Sequence, residues 1–551
     1  MARAKGPRHV LELPLSVDER ARHILERRFS AANTLRNGIL QSGLKALDAC
    51  REDPSWEAAR SLPRKTKHER AARAQAFADV RVRCGLTEAA LCVVERTMRE
   101  SCWIRDHITA RLGHVIVKEV LKSIENNLFL GRGRPRFRRA DDCRTISARQ
   151  ASPMILKGDP STGLTLKWTG LSLPVRRKVF SASELHSLAC LAIHCRVKRI
   201  PSGRVAPASP WRYAVQIIVA GKSCQHRERA TSGVAGVDMG PAMAGVVWRN
   251  GEDGAGHRLV PLAAEVEGDE TNIRRMQRSQ DRQRRTVNPH CFDERGRWKK
   301  GQRIRHQSNR HKREMARRRV RETKAAKHRR NCHGRDTNDI LAVASEIRIE
   351  DHGYSGWSRL WGRAMGRGMP GLFITELRRK CLDTGGTFVS INTRKAALSQ
   401  VDALGGIREK KPLRQRWHEL GDGSGFIQRD LHSALLASHC DAEGRIDQAG
   451  VRAHLQGPCQ DLVQPSAAKA AAMAEAARAR ALPAPRSKDR QSGSNGSREV
   501  PAMREKGSRR QRRRDWLRGR ITTRRTRRNG SANVAPFQIA CVTLSPASFR
   551  V

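Results

Sequence analysis

The sequence predicts a mixed α/β protein in which a helical region and a strand-rich region precede an α/β domain carrying three widely spaced carboxylates. Three observations predict it. Helical periodicity dominates up to about residue 126, strand-like pieces separated by turns follow, and between 230 and 445 apolar strands ending in acids alternate with helices. At 551 residues there is room for roughly two to four domains and a substantial core.

Charge narrows the function before any motif does. Lys and Arg number 108 against 54 Asp and Glu, a formal net charge of +54. Self-repulsion on that scale opposes compaction unless a polyanion neutralises it. No apolar stretch approaches the roughly 20 residues of a membrane span, and the segment from Met1 to Pro7 has no signal-peptide core. Nucleic acid is therefore the expected partner and a membrane is not; the expected location is the cytoplasm of a prokaryote, acting at the nucleoid. A codon bias would account for the preference for Arg over Lys, but not for the net charge. The fourteen cysteines contain no C-x-x-C pair, so they read as reduced thiols rather than a disulfide framework or zinc finger.

Residues 9–16 read as a strand, and Ser16 with Glu19 forms a capping-box signature for a helix through Ile24, Leu25, Phe29 and Leu35. The polar, proline-punctuated stretch from Asp48 to Lys67 reads as a loop, and Thr87 as the cap of a helix with Leu91, Val94 and Met98 on one face. Arg132, Arg134, Arg136 and Arg138 surround Phe137 in a Gly/Pro-broken segment suited to a phosphate backbone. Strands are expected at Leu164–Leu171, Leu188–Val197 and Trp211–Ala220. An ordinary antiparallel barrel with a solvated basic rim fits this stretch, but a nucleic-acid-gripping module fits it better.

Residues 270–330 are the most basic long stretch. Arg274, Arg275, Arg278, Arg282 and Arg285 recur at helical spacing with Ile273 and Met276; a second basic helix, Ser308 to Arg330, carries Lys312, Arg313 and Arg317. A run of like charge is usually solvated, yet two periodic flanks around a Gly turn predict paired helices laid along a duplex. Residues 446–551 are Ala/Arg-rich and predicted largely disordered, adding sequence-independent, salt-sensitive affinity.

Three segments carry the chemistry. Val234-Ala-Gly-Val-Asp238-Met-Gly240 sets one acid on an apolar strand that turns and returns through Trp248. An apolar stretch from Ile340 ends in Ile347-Arg-Ile-Glu350-Asp351, and in Gln428-Arg-Asp430-Leu-His-Ser-Ala434 the acid Asp430 opens a helix with Leu431, Ala434 and Leu435 inward. A carboxylate on a buried strand costs free energy unless it is paired or binds metal. Each segment alone is weak, since strand-end acids are commonly caps or salt-bridge partners. Strand-Asp, hairpin, long insertion, strand-Glu, helix, strand and helix-Asp is, however, the layout of an RNase H-like (RuvC) core, in which three carboxylates hold two magnesium ions. Asp351 reads as a solvated loop acid.

The same residues resemble the TnpB family of insertion sequences, often described as OrfB-type transposases, and the type V CRISPR effectors related to it. Gly236-Val-Asp238-Met-Gly240 resembles the first RuvC motif, Ile347-Arg-Ile-Glu350 the second, and Gln428-Arg-Asp430-Leu-His-Ser-Ala434 the third, written D-R-D-x-N-A-A; Gly133-Arg-Pro135-Arg-Phe137 resembles the family's G-x-P-x-F segment. The resemblance implies a wedge-like barrel formed by 127–229 with a first strand in 1–16, a helical recognition lobe at 17–126, and a nuclease domain at 230–445. It also implies a guide RNA, CRISPR- or transposon-derived, a DNA target, and a monomer with its RNA. The family holds zinc with four cysteines between the second and third motifs. Here Leu398 to Gly406 and Trp417 to Gly421, within a degenerate segment at 398–421, lack all four, which argues against zinc at this place. The implied activity is magnesium-dependent DNA cleavage by Asp238, Glu350 and Asp430. The missing cysteines leave open RNA-guided DNA binding that blocks transcription or replication with little cutting. A plain RNA-binding or chromosome-coating protein would have no reason to carry the three acids in this order.

Overall fold

Strand β1 (Arg8–Pro14) buries Leu11 and Leu13 and exposes Val10, Glu12 and Pro14 in alternation with them, the period-two pattern of a half-buried strand. The capping residue of the helix that follows is Asp18 rather than Ser16: its side chain accepts from the Ala21 amide at 2.7 Å, opening α1 (Glu19–Glu52). Ser16 is held outside the helix because its own amide donates to the Pro174 carbonyl at 2.8 Å, prolonging the strand's attachments.

The computed structural model describes residues 6–464, except 150–152, 178, 206–207, 225–227, 251–253, 300, 303–305, 407, 413–414 and 458. The loop expected between Asp48 and Lys67 is largely helical. α1 runs on to Glu52, Asp53 caps α2 (Pro54–Ser61), and Thr66 with Glu69 forms a capping box on α3 (Lys67–Arg83). Proline at a first helical position starts a helix instead of breaking one, and Trp56 packs on Phe77 with centroids 4.6 Å apart. Thr87 caps α4 (Glu88–Glu100) as its sequence predicts, and α5 (Ala110–Phe129) completes the helical region.

Next come β2 (Thr145–Arg149), β3 (Met154–Asp159), β4 (Gly163–Trp168), β5 (Leu171–Pro174), α6 (Ala182–Ala189), β6 (Ala192–Pro201) and β7 (Trp211–Ala220). They form an antiparallel sheet in the order β1-β7-β6-β2 and a small one, β3-β4-β5. Leu188 lies in α6 rather than in a strand, because Ser181 and Glu184 form a capping box that commits 182–189 to a helix.

The remaining elements are β8 (Val234–Met239), β9 (Met243–Arg249), β10 (Gly256–Pro261), α7 (Glu267–Val287), α8 (Asn309–Val343), β11 (Glu346–Glu350), α9 (Tyr354–Gly368), α10 (Pro370–Asp383) and β12 (Thr387–Ile391). After them come α11 (Thr393–Ala396), β13 (Trp417–Glu419), β14 (Phe426–Gln428), α12 (Arg429–Ser438) and α13 (Gln448–Gln456). One mixed sheet runs β10-β9-β8-β11-β12: the first three strands are an antiparallel meander, and β11 is parallel to both β8 and β12. Ala235, Val237 and Met239 on one face share a core with Ile340 and Leu341 of α8 and Phe373 and Leu377 of α10; α12 and α13 pack with Val247 and Ile391 in another core. Ile340 belongs to the end of α8 and not to a strand, and only Glu346–Glu350 is extended.

The boundary expected at 446 is too early. Val451, Leu455, Cys459 and Leu462 are buried in the core beneath α12, so 446–464 is ordered structure. The expectation of disorder for 465–551 lies outside the described residues.

Candidate active site at the ends of two parallel strands

Strands β8 and β11 run parallel with Arg348 opposite Gly236 and Ile349 opposite Val237. One step on, the same register sets Glu350 beside Asp238, at the carboxyl ends of both strands and on one face. Open α/β sheets gather ligands at such ends, where neighbouring chains diverge. Asp238 is 17 % exposed and Glu350 5 %. Burial pushes the Glu350 carboxyl up; the His352 charge and the Leu398 amide, which donates to Oε1 at 3.2 Å, act against that, and the Asp238 charge adds to it.

Asp430 reaches this end of the sheet because α12 lies directly on it. Two glycines make the approach possible: a methyl group at Gly236 would lie on the Ala434 carbonyl oxygen, and one at Gly245 on the Asp430 carbonyl oxygen. Gln428 caps α12 by accepting from the Leu431 amide at 2.9 Å, and its Nε2 donates to Asp430 Oδ2 at 3.1 Å. Desolvation and the charge of Asp238 raise the Asp430 carboxyl, opposed by the Gln428 hydrogen bond and by Arg416 and Arg429. Leu431, Ala434 and Leu435 are buried, as the sequence predicts.

A fourth group, which the sequence reading does not include, stands among the acids. The donor atoms of Asp238, Glu350 and His352 all lie within 4.8 Å of one another; Asp430 is near enough to feel Asp238 but is not part of that set. His352 Nε2 is 3.4 Å from Glu350 Oε2 and 3.8 Å from Asp238 Oδ1. Burial pushes its imidazole down, but the carboxylates of Asp238, Glu350 and Asp351 outweigh that and hold it above its ordinary value. The sequence signal was a histidine two residues beyond a strand-end acid, but periodicity ends with the strand and fixes no direction for the ring. Asp351 itself is exposed.

The segment after β12 is held by side chains. Asp402 accepts from the amides of Leu404 and Gly405 in its own turn and of Gly421 after β13, the last at 3.1 Å. Beneath it His418 and His432 meet Nδ1 to Nδ1 at 3.3 Å, fully buried, pushed down to about 2 and about 3 by burial and by neighbouring cations.

Of the basic residues, Arg275, Arg278, Arg282 and Arg285 are exposed along one face of α7, at spacings of three and four. Arg274 is instead half-buried, paired with Glu270 at 3.0 Å. The partner helix α8 exposes Lys312, Arg313 and Arg317, and Glu314 joins the two helices by accepting from Ser279 and Gln283. Arg132, Arg136 and Arg138 are exposed with Phe137, whereas Arg134 makes a two-pronged pair with Asp48 at 2.6 and 2.7 Å. No helix among the described residues is long and apolar enough to cross a membrane.

No protein-family model matches the sequence, and no curated protein does. Among solved structures, the chain is similar to one from a cryo-EM structure of a Cas12f1-sgRNA-target DNA complex, at 10% identity and a TM-score of 0.41, over 78% of this chain and 97% of that one.

Proposed function

We propose that this chain is an RNA-guided DNA endonuclease on an RNase H-like (RuvC) core, with Asp238, Glu350 and Asp430 as its cation-binding carboxylates. The observation that carries the reading is the meeting of acids from residues 238, 350 and 430 at one end of one sheet. That sheet has a meander followed by two parallel strands, the order in which an RNase H-like core presents its acids. A divalent cation fits these residues: Glu350 has one carboxylate oxygen satisfied by an amide, and the other faces a histidine nitrogen that has no hydrogen-bond partner. When bound, magnesium would activate the attacking water and stabilise the leaving 3′ oxygen.

The chain's own residues do the rest. Asp238, between Glu350 and Asp430, is the shared ligand; Gln428 fixes the rotamer of Asp430; and the arginine face of α7 with the exposed cations of α8 holds a phosphate backbone against the sheet end. The guide RNA rests on the motif resemblance and on the net charge of +54. Sequence would be read by base pairing while the protein grips the heteroduplex. In this reading 17–126 is the recognition lobe, and 127–229 with β1 is the wedge. A blocking protein is the second reading, favoured by the replacement of the zinc-type segment with one tied by Asp402.

The test is to purify the protein with its RNA, sequence that RNA, and measure magnesium-dependent cleavage of a matching plasmid beside binding. Wild type should cut, and Asp238→Asn should bind but cut orders of magnitude more slowly. Binding without cutting above the mutant selects the blocking reading. A preparation with no discrete RNA defeats guidance in both.

A further inference from the structure

His352 stands where a cation bound to Asp238 and Glu350 would meet a nitrogen donor, and three observations give it a task. Its Nε2 faces both carboxylates, at 3.8 Å from Asp238 Oδ1 and 3.4 Å from Glu350 Oε2. That nitrogen is shielded from solvent and has no hydrogen-bond partner. The ring is oriented from outside by Trp357, centroids 5.2 Å apart, which is itself wedged edge-on between Tyr354 at 5.3 Å and Trp361 at 6.1 Å.

The distances decide between two roles. A protonated imidazole hydrogen-bonded to a carboxylate contracts to roughly 2.7–2.9 Å, and both separations here are well beyond that. Donors bound to one ion at about 2.1 Å stand roughly 3.0 Å apart at a right angle and roughly 3.4 Å apart at a tetrahedral one, and the shorter separation matches. A buried nitrogen that stands farther from two carboxylates than an ordinary hydrogen bond, yet near both, has the position of a third ligand.

We propose that His352 is a direct nitrogen ligand of the cation held by Asp238 and Glu350, so that this site prefers first-row transition ions, Mn2+ among them, over Mg2+. Imidazole binds such ions better than magnesium, which favours oxygen donors. The inference rests on the reading of Asp238 and Glu350 as cation ligands.

The test reads the bound ion and not the reaction. Mn2+ is titrated into the full-length protein and followed by its EPR signal and by electron spin-echo modulation, which detects a directly bonded nitrogen. Wild type should bind an Mn2+ that Asp238→Asn does not, with nitrogen modulation. His352→Gln, which keeps a polar side chain, and His352→Leu, which fills the space, should each lose the modulation and weaken this binding at least about tenfold. Mg2+ should then compete for the site more effectively. Either variant with wild-type circular dichroism is sufficient. Modulation that survives in the variants, or an Asp238-dependent Mn2+ in wild type without modulation, overturns the role of His352 and leaves the carboxylate site standing. Wild type that binds no more Mn2+ than Asp238→Asn overturns both.

Discussion

His439 and His454 meet Nε2 to Nδ1 at 3.0 Å inside the core, joining the end of α12 to α13. Burial and Arg249 depress both; His439 falls to about 4, with the His454 ring and Arg348 adding to the effect and Asp447 opposing it. A histidine depressed in the folded state binds fewer protons there than in the unfolded chain. Its stabilising contribution is therefore complete above the unfolded value near 6.5 and is lost as pH falls toward 4. Urea midpoints should drop between pH 6.5 and 4.5, with up to roughly 3 kcal/mol from His439, and the double variant His439→Asn, His454→Gln should flatten that slope. Glu350 and Asp430 are raised and act in the opposite sense, so the difference between wild type and double variant is the quantity to measure. An unchanged slope would mean that the pair is not buried and neutral.

Asp430→Asn should stabilise the cation-free protein while ending cleavage. The aspartate is desolvated and faces the charge of Asp238, so the neutral isostere removes a repulsion but keeps the size and the contact with Gln428. A gain of about 0.5–2 kcal/mol in EDTA fits a functional site held at a cost to the fold. Excess divalent cation should narrow or reverse the difference, because only wild type gains from binding it. A variant less stable than wild type in EDTA would show that Asp430 serves as a structural cap.

The placement of residues 238 and 350 near strand ends and of 430 at a helix start was legible because apolar strands and an amphipathic helix have periods that put a carboxylate at an end. The paired basic helices were legible for the same reason, though pattern did not reveal that Arg274 turns to Glu270 and Arg134 to Asp48. The stretch from Asp48 to Lys67 was misread because prolines and charges mark helix starts as well as loops, and which one applies depends on Trp56 finding Phe77. The order of 446–464 was hidden because Val451, Leu455, Cys459 and Leu462 are too sparse to announce a core and become one only beneath α12. His352 and Asp402 act through tertiary contacts across turns, where sequence spacing holds no geometry.

Asp402→Ala should loosen the segment from 398 to 421. Its carboxylate joins two turns through the amides of Leu404, Gly405 and Gly421, and alanine leaves those donors to water or without partners. The expected loss is about 1–3 kcal/mol, with faster proteolysis between Leu398 and Gly421. A zinc chelator should leave wild-type proteolysis of this segment unchanged, since a carboxylate ties it. Protection that disappears with chelation would mean that a metal holds the segment after all.

Gly245→Ala separates position from chemistry, because it alters no carboxylate. The added methyl would lie on the Asp430 carbonyl oxygen, a backbone atom that cannot rotate away, so the first turn of α12 must lift or β9 must bend. Overpacking of this kind costs about 1–3 kcal/mol, which a chain with cores on both faces of the sheet can absorb and stay folded. The catalytic consequence should be larger. A shift of about 1 Å in a catalytic group can cost on the order of a hundredfold in rate, and Asp430 rides on the turn that moves. Cleavage should therefore fall by about that factor, while guided DNA binding, which depends on the arginine surfaces, holds within a fewfold. Gly371→Ala is the control, since nothing lies within 4 Å of an added methyl there, and it should leave both readouts at wild type. If Gly245→Ala cuts as fast as wild type, the close seating of α12 on β9 does not position Asp430, and the third carboxylate of the site must be sought elsewhere.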